Sequence, residues 1–257
     1  MLFELGGKRK RLIQVIYVLL AFLMAIALVG FGIGGGTQGG IFDALGLGGD
    51  GSSTPQYDAQ IQRAEDALQA DPKDEKALIQ LARTHFLAGQ SATEQDAQGR
   101  ITFTEETLAQ YRDATDAWER YLKTKPKQPD DGVASLMLQA YTALAGTDPA
   151  RVQQDIEGAF EASRIVAEAR PSFGSYLQLA TYAYYAGENE AGDEATKNAL
   201  KEAPDPTSKS QVKQQVKQAK AQGEAIAKAV KQSAPDQSQL QNPLGGLGGT
   251  QPALPGG

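Results

Sequence analysis

Four prolines set the frame of this chain. Pro72, Pro126, Pro171 and Pro204 each close an amphipathic stretch between residues 57 and 206, where apolar residues recur at helical spacing, alanine is abundant and runs of β-branched residues are absent. Proline cannot continue a helix, so each one marks a helix end. Counting back four and five residues gives Leu68 and Ala67, Leu122 and Tyr121, Ala167 and Val166, Leu200 and Ala199. Counting back eight gives Ala64, Trp118, Ser163 and Thr196, and back twelve gives Gln60, Ala114, Ala159 and Gly192. Apart from Trp118 and Gln60, small residues recur where two helices must approach closely. The spacing predicts an all-α domain in which one packing pattern is used several times.

The stretch YDAQIQRAEDALQADP, followed by ALIQLARTHFLAG, resembles the tetratricopeptide repeat, a 34-residue pair of antiparallel helices. Leu78, Leu81, Ala82, His85 and Gly89 follow that pattern after Pro72. Met137, Ala140 and Tyr141 follow it in the middle, with Leu138 in place of a small residue. After Pro171 the pattern is met by Tyr176, Leu179, Ala180 and Gly187, one residue early. The resemblance implies a helical solenoid of about three repeats over 57–206. The proline spacings of 54, 45 and 33 residues, set against 34, leave 20 and 11 extra residues and then one missing. Most extras fall between His85 and Tyr111 and between Tyr141 and Ile156, in two consecutive helix turns, and two more lie near Pro129-Asp130-Asp131. Thr102-x-x-Glu105 reads as a capping box that starts the helix after the longer insertion.

Beyond the repeats, Val212, Val216, Ala219, Ile226 and Val230 recur at helical steps over 207–232, between Thr207-Ser208 and Pro235. A terminal repeat needs a helix with one polar face to cover its last apolar surface, so this helix reads as a cap. Its lysines at 209, 213, 217, 220, 228 and 231 leave contact with anionic lipid as the alternative. Residues 233–257, rich in Gly, Pro, Gln and Ser, have the composition of a disordered tail.

At the other end, residues 12–33 carry no charge and only Gln14 and Tyr17 are polar, a run long enough to cross roughly 30 Å of hydrocarbon. Lys8, Arg9, Lys10 and Arg11 abut its start and the next cation is Arg63, so the positive-inside bias puts 1–11 in the cytoplasm and the rest outside. This reads as a single transmembrane signal anchor. A cleaved signal peptide, cut after Ala25-Ile-Ala27 to release a secreted protein, is the rival. Residues 34–56, Gly-rich and ending in Ser52-Ser53-Thr54-Pro55, read as a linker that tethers the domain within about 25 to 30 Å of the bilayer.

Composition narrows the chemistry. The net charge of -6 divides into +3 over 1–11, -13 over 12–206, +5 over 207–232 and -1 over 233–257. An acidic body lacks the clustered cations of a nucleic-acid surface. With no Cys and one His there is no thiolate site or His cluster, and neither a metal nor a cofactor is expected. His85 falls where the repeat family has a packing aromatic, and the carboxylates read as solvated helix faces. No catalytic residue is assigned.

If the family's concave groove is present, the outward side of the first helices presents Arg83 and Phe86, Gln139 and Thr142, and Thr181, Tyr184 and Tyr185. The alternative for Tyr184 and Tyr185 is division between packing and surface. Ile79 and Thr181 stand where some relatives have polar residues that clamp a peptide carboxylate, so an aromatic and amide groove for an extended or helical segment is the expectation. The sequence thus reads as a membrane-anchored scaffold, not an enzyme. It would bind protein partners outside the cytoplasm and assist secretion or envelope assembly, with the lipid bilayer met through 12–33. The rival classes are an envelope enzyme or ligand-binding protein using the inserted turns, and a secreted soluble repeat protein.

Overall fold

A computed structural model describes residues 54–95, 101–148 and 150–233. The basic block, the proposed anchor and most of the linker and tail lie outside the described residues. Among the described residues no helix is long and apolar enough to cross a membrane.

The described residues form eight helices and one small hairpin. In order they are α1 (Thr54–Ala70), α2 (Glu75–Ser91), β1 (Glu94–Gln95), β2 (Ile101–Thr102), α3 (Glu105–Lys123) and α4 (Asp131–Leu144), followed by α5 (Val152–Ala169), α6 (Phe173–Ala186), α7 (Asn189–Glu202) and α8 (Pro206–Ser233). The architecture is all-helical, compatible with an all-α solenoid. Each of the four framing prolines lies two or three residues past a helix end.

Local chemistry explains the boundaries. Asp74, Thr104, Asp130 and Ser172 each accept a bond from a free N–H in the first turn of the helix that follows. Gly187 closes α6 at φ 83°, a left-handed conformation that glycine adopts without steric cost. Two details depart from the sequence reading. The cap of α3 is Thr104, bonded to Thr107 N at 3.0 Å, whereas Thr102 belongs to β2. Helix α1 also begins at Thr54, inside the stretch read as linker.

Neighbouring helices run antiparallel, as their ends show. The Thr124 hydroxyl after α3 donates to Glu75 at the start of α2 (3.1 Å), and Arg170 after α5 reaches Asp131 and Ser135 at the start of α4. The pairs α2/α3, α4/α5 and α6/α7 each hold a tyrosine against a glycine: Tyr111 on Gly89, Tyr141 on Gly158, Tyr184 on Gly192. In the last two the ring comes from the first helix of the pair; in the first it comes from the second helix. A Cβ at Gly89 would lie 2.7 Å from the Tyr111 ring and one at Gly192 2.6 Å from that of Tyr184, so only glycine admits these contacts. Helix α8 packs mainly on α6, and there Gly223 meets the Tyr184 carbonyl.

The core runs through the array. Leu78, Leu81, Ala82 and His85 of α2 are buried, and so are the residues 56 positions on, Ala134, Met137, Leu138 and Tyr141 of α4. A further 43 positions on, Leu177, Ala180, Thr181 and Tyr184 of α6 are buried as well. This corrects the α6 register read from sequence, since Tyr176 and Leu179 are only half-buried. The cause is Gly187: it is a cap at the end of α6, whereas Gly89 packs inside α2, and equating the two shifts the register by one residue.

The first inserted turn, between α2 and α3, holds the β1/β2 hairpin with Glu94 opposite Thr102. Ile101 and Phe103 stand exposed there, 57% and 41% accessible, and Phe103 meets the edge of Tyr111 at 6.1 Å. The second connects α4 to α5 by a shorter turn.

Replacing Gly158 or Gly192 with alanine is expected to cost about 1 to 3 kcal/mol, because the new methyl displaces a buried ring. Gly174→Ala, where a Cβ meets nothing within 4 Å, should be neutral or slightly stabilising. Urea unfolding followed by the fluorescence of Trp118, the only tryptophan and wholly buried, measures both. Equal costs at all three sites would remove the tyrosine–glycine contact as an organising element.

Candidate partner-binding face

The common burial pattern of α2, α4 and α6 identifies the positions that face away from it. One residue past the buried Ala82, Leu138 and Thr181 come Arg83, Gln139 and Tyr182; one past His85, Tyr141 and Tyr184 come Phe86, Thr142 and Tyr185. Four residues before the first set come Ile79, Ser135 and Gln178, all half-buried.

Of the seven groove residues read from sequence, three keep surface. Gln139 is exposed. Arg83 is half-buried and lies 3.8 Å from Asp130. The hydroxyl of half-buried Thr142 lies 2.7 Å from that of Tyr182, a bond that ties α4 to α6. The other four are buried, for three separate reasons. Phe86 stacks on Tyr111 at 5.2 Å, brought over it where α3 resumes after the inserted turn. Thr181 and Tyr184 occupy core positions once the α6 register is set correctly, and the Thr181 hydroxyl donates to Leu177 O at 2.9 Å. Tyr185 is covered by α8 and donates its hydroxyl to Gln222. These four do not line an open surface.

What remains is a face of amides and hydroxyls, Ser135, Gln139 and Thr142 on α4, Gln178 on α6 and Gln222 on α8, with the buried Tyr182 beneath it bonded to Thr142. Sequence reading missed Gln178, and the Thr142 bond to Tyr182, through the one-residue register error, and Gln222 because nothing in the sequence says which flank of α8 meets α6. Burial pushes the Tyr182 phenol up to about 12 against the opposing pull of its bond with Thr142, so it stays a neutral hydrogen-bonding group across the physiological range. At one end of the face the start of α4 collects Asp130 and Asp131, which Arg83 and Arg170 neutralise. Carboxylates there also suit the partial positive charge of a helix N-terminus.

Chemistry-bearing groups elsewhere are engaged in structure. His85 is 8% exposed and its Nδ1 lies 2.8 Å from Gln110 Oε1. Asp155 on α5 is wholly buried and held by both terminal nitrogens of Arg112 on α3, one of them at 3.2 Å. Burial raises the Asp155 carboxyl above its ordinary value, and Arg112 pulls in the opposite direction. Among the described residues no three or more His, Asp or Glu converge as a metal site requires.

Comparison with family models, with curated proteins and with solved structures finds no match.

Arg112→Met should cost about 3 to 5 kcal/mol at neutral pH, because it leaves a carboxylate buried without its partner. An Asp with a raised folded-state pKa takes up a proton on folding, so its contribution is most favourable below the ordinary 3.8 and declines as pH rises through the folded value. Removing Arg112 raises that value further. Denaturation of variant and wild type at a series of pH values should therefore show the gap narrowing as pH falls from 7.5 toward 5; a constant gap would count against the pair.

Proposed function

We propose that this protein is a membrane-anchored scaffold of tetratricopeptide-repeat type that binds a protein partner outside the cytoplasm, near the bilayer. The observation that carries the reading is the repetition of one helical arrangement in α2, α4 and α6. Three helices with the same buried register leave Arg83, Gln139, Thr142 and Gln178 at the surface along one extended side, which suits a polypeptide more than a small substrate. Amides and hydroxyls on that side bond to peptide groups without demanding one side-chain chemistry. The uncharged run 12–33, its basic flank and the Gly-rich linker support the anchoring, and the role implied is assistance to secretion or envelope assembly.

The enzyme reading asks the most of His85, which packs in the register position that tyrosine takes in α4 and α6. His85→Phe should fold, lose about 1 kcal/mol with the Gln110 bond, and keep partner binding.

A photo-crosslinking residue in place of Gln139 should capture a protein in intact membranes, while the same residue at Glu157, exposed on α5, should not. Equal capture at the two positions would sink the proposed face. The mass of the mature N-terminus separates the anchored form from one cleaved after Ala27.

A further inference from the structure

Helix α8 carries six of the chain's 25 Lys and Arg. Lys209, Lys213, Lys217, Lys220, Lys228 and Lys231 are spaced so that, at 3.6 residues per turn, all fall within about 100° of arc along a row of about 33 Å. Glu224 is the one acid among them. The buried side of the helix, Val212, Val216, Ala219 and Ile226, lies about a third of a turn away. Lys209, Lys213, Lys217, Lys220 and Lys228 are accordingly exposed. Lys220 pairs with Asp193 at 2.8 Å and sits 4.8 Å above the Tyr184 ring, which puts the row on the α7 side of α8. Lys209, Lys213, Lys217 and Lys228 make no ion pair among the described residues. Gln222, which meets Tyr185, lies on the opposite flank.

We propose that this lysine row docks the domain onto an anionic phospholipid surface, an inference that rests on the anchored reading above. A straight row of like charges suits a planar, extended array of anions, whereas a compact anion would engage only one or two of them. The body over 12–206 carries -13, so a negative bilayer repels most of the domain and attracts this edge, which fixes the orientation. Each lysine near such a surface contributes about a fivefold factor. Weak contacts of that kind become effective when a tether holds the domain within about 25 to 30 Å. The row contains no Trp, Phe or Leu, so contact is at headgroup level and screened by salt. Because the row and Gln222 lie on opposite flanks of α8, docking leaves the amide face clear of lipid.

The natural chain has no Cys, so Ala227→Cys, an exposed position inside the row, takes a single fluorescent label. The full chain is reconstituted in nanodiscs of phosphatidylcholine alone or mixed three to one with phosphatidylglycerol, and the label is probed with a water-soluble quencher. Expected is shielding in the anionic discs only, lost in 1 M salt. Replacing Lys209, Lys213, Lys217 and Lys228 with Gln should lower the docked-to-free ratio by nearly three orders of magnitude. Unchanged Trp118 fluorescence checks that this variant is folded. Equal quenching in both discs, with the chain co-eluting with each, overturns docking and leaves the anchor standing. So does shielding by soluble polyglutamate where the anionic discs give none. A chain that co-elutes with neither disc overturns the anchor, and the docking with it.

Discussion

A tyrosine ring can touch the backbone of a neighbouring helix only where the facing residue has no Cβ, and three helix pairs of this protein are built on that contact. It brings two helices close, buries a large ring between them and still lets the phenol reach a polar atom at its tip. Tyr184 shows the whole arrangement: its ring lies on Gly192, its hydroxyl donates to Asp193 at 2.8 Å, and its carbonyl receives α8 at Gly223. Burial drives the phenols of Tyr141 and Tyr184 away from ionisation, so neither brings charge into the core. Once these rings are placed, the register of α4 and α6 follows, and with it the side chains left facing outward.

The helices, their proline-marked ends and the amphipathic C-terminal helix were legible because each has a local cause. Proline stops a helix wherever the chain goes, and a period of 3.6 shows which side is apolar. The face was only partly legible, because a change of one residue turns a helix by about 100° and converts a lining position into a core position. Thr181 and Tyr184 were misplaced in this way. Gly187 and Gly89 look equivalent in the sequence, yet one satisfies a backbone conformation and the other a packing contact. Phe86 and Tyr185 were hidden for another reason: the groups that meet them, Tyr111 and Gln222 of α8, lie 25 and 37 residues away in the chain. No local pattern reports that kind of contact.

Charge is segregated as firmly as packing. The Arg112–Asp155 pair crosses from α3 to α5, while Arg83 and Arg170 meet Asp130 and Asp131 at the start of α4. Each of these cations is committed to a contact between separate helices or their caps. The lysines of α8 are mostly committed to none, and they stand beyond the α6/α7 pair, on a helix whose other flank borders the proposed amide face. One helix therefore closes the core, borders the proposed partner face and carries the basic edge.

The inserted turns have a consequence for folding. An array of similar helix pairs can pair the wrong neighbours, since each hairpin offers a similar mate. Here the three hairpins are not interchangeable. The first has a long connector with its own strands and takes its tyrosine from the second helix, the next has a shorter connector, and the last turns through Gly187 within two residues. Unequal connectors give each unit an address, so that one order of assembly satisfies them all.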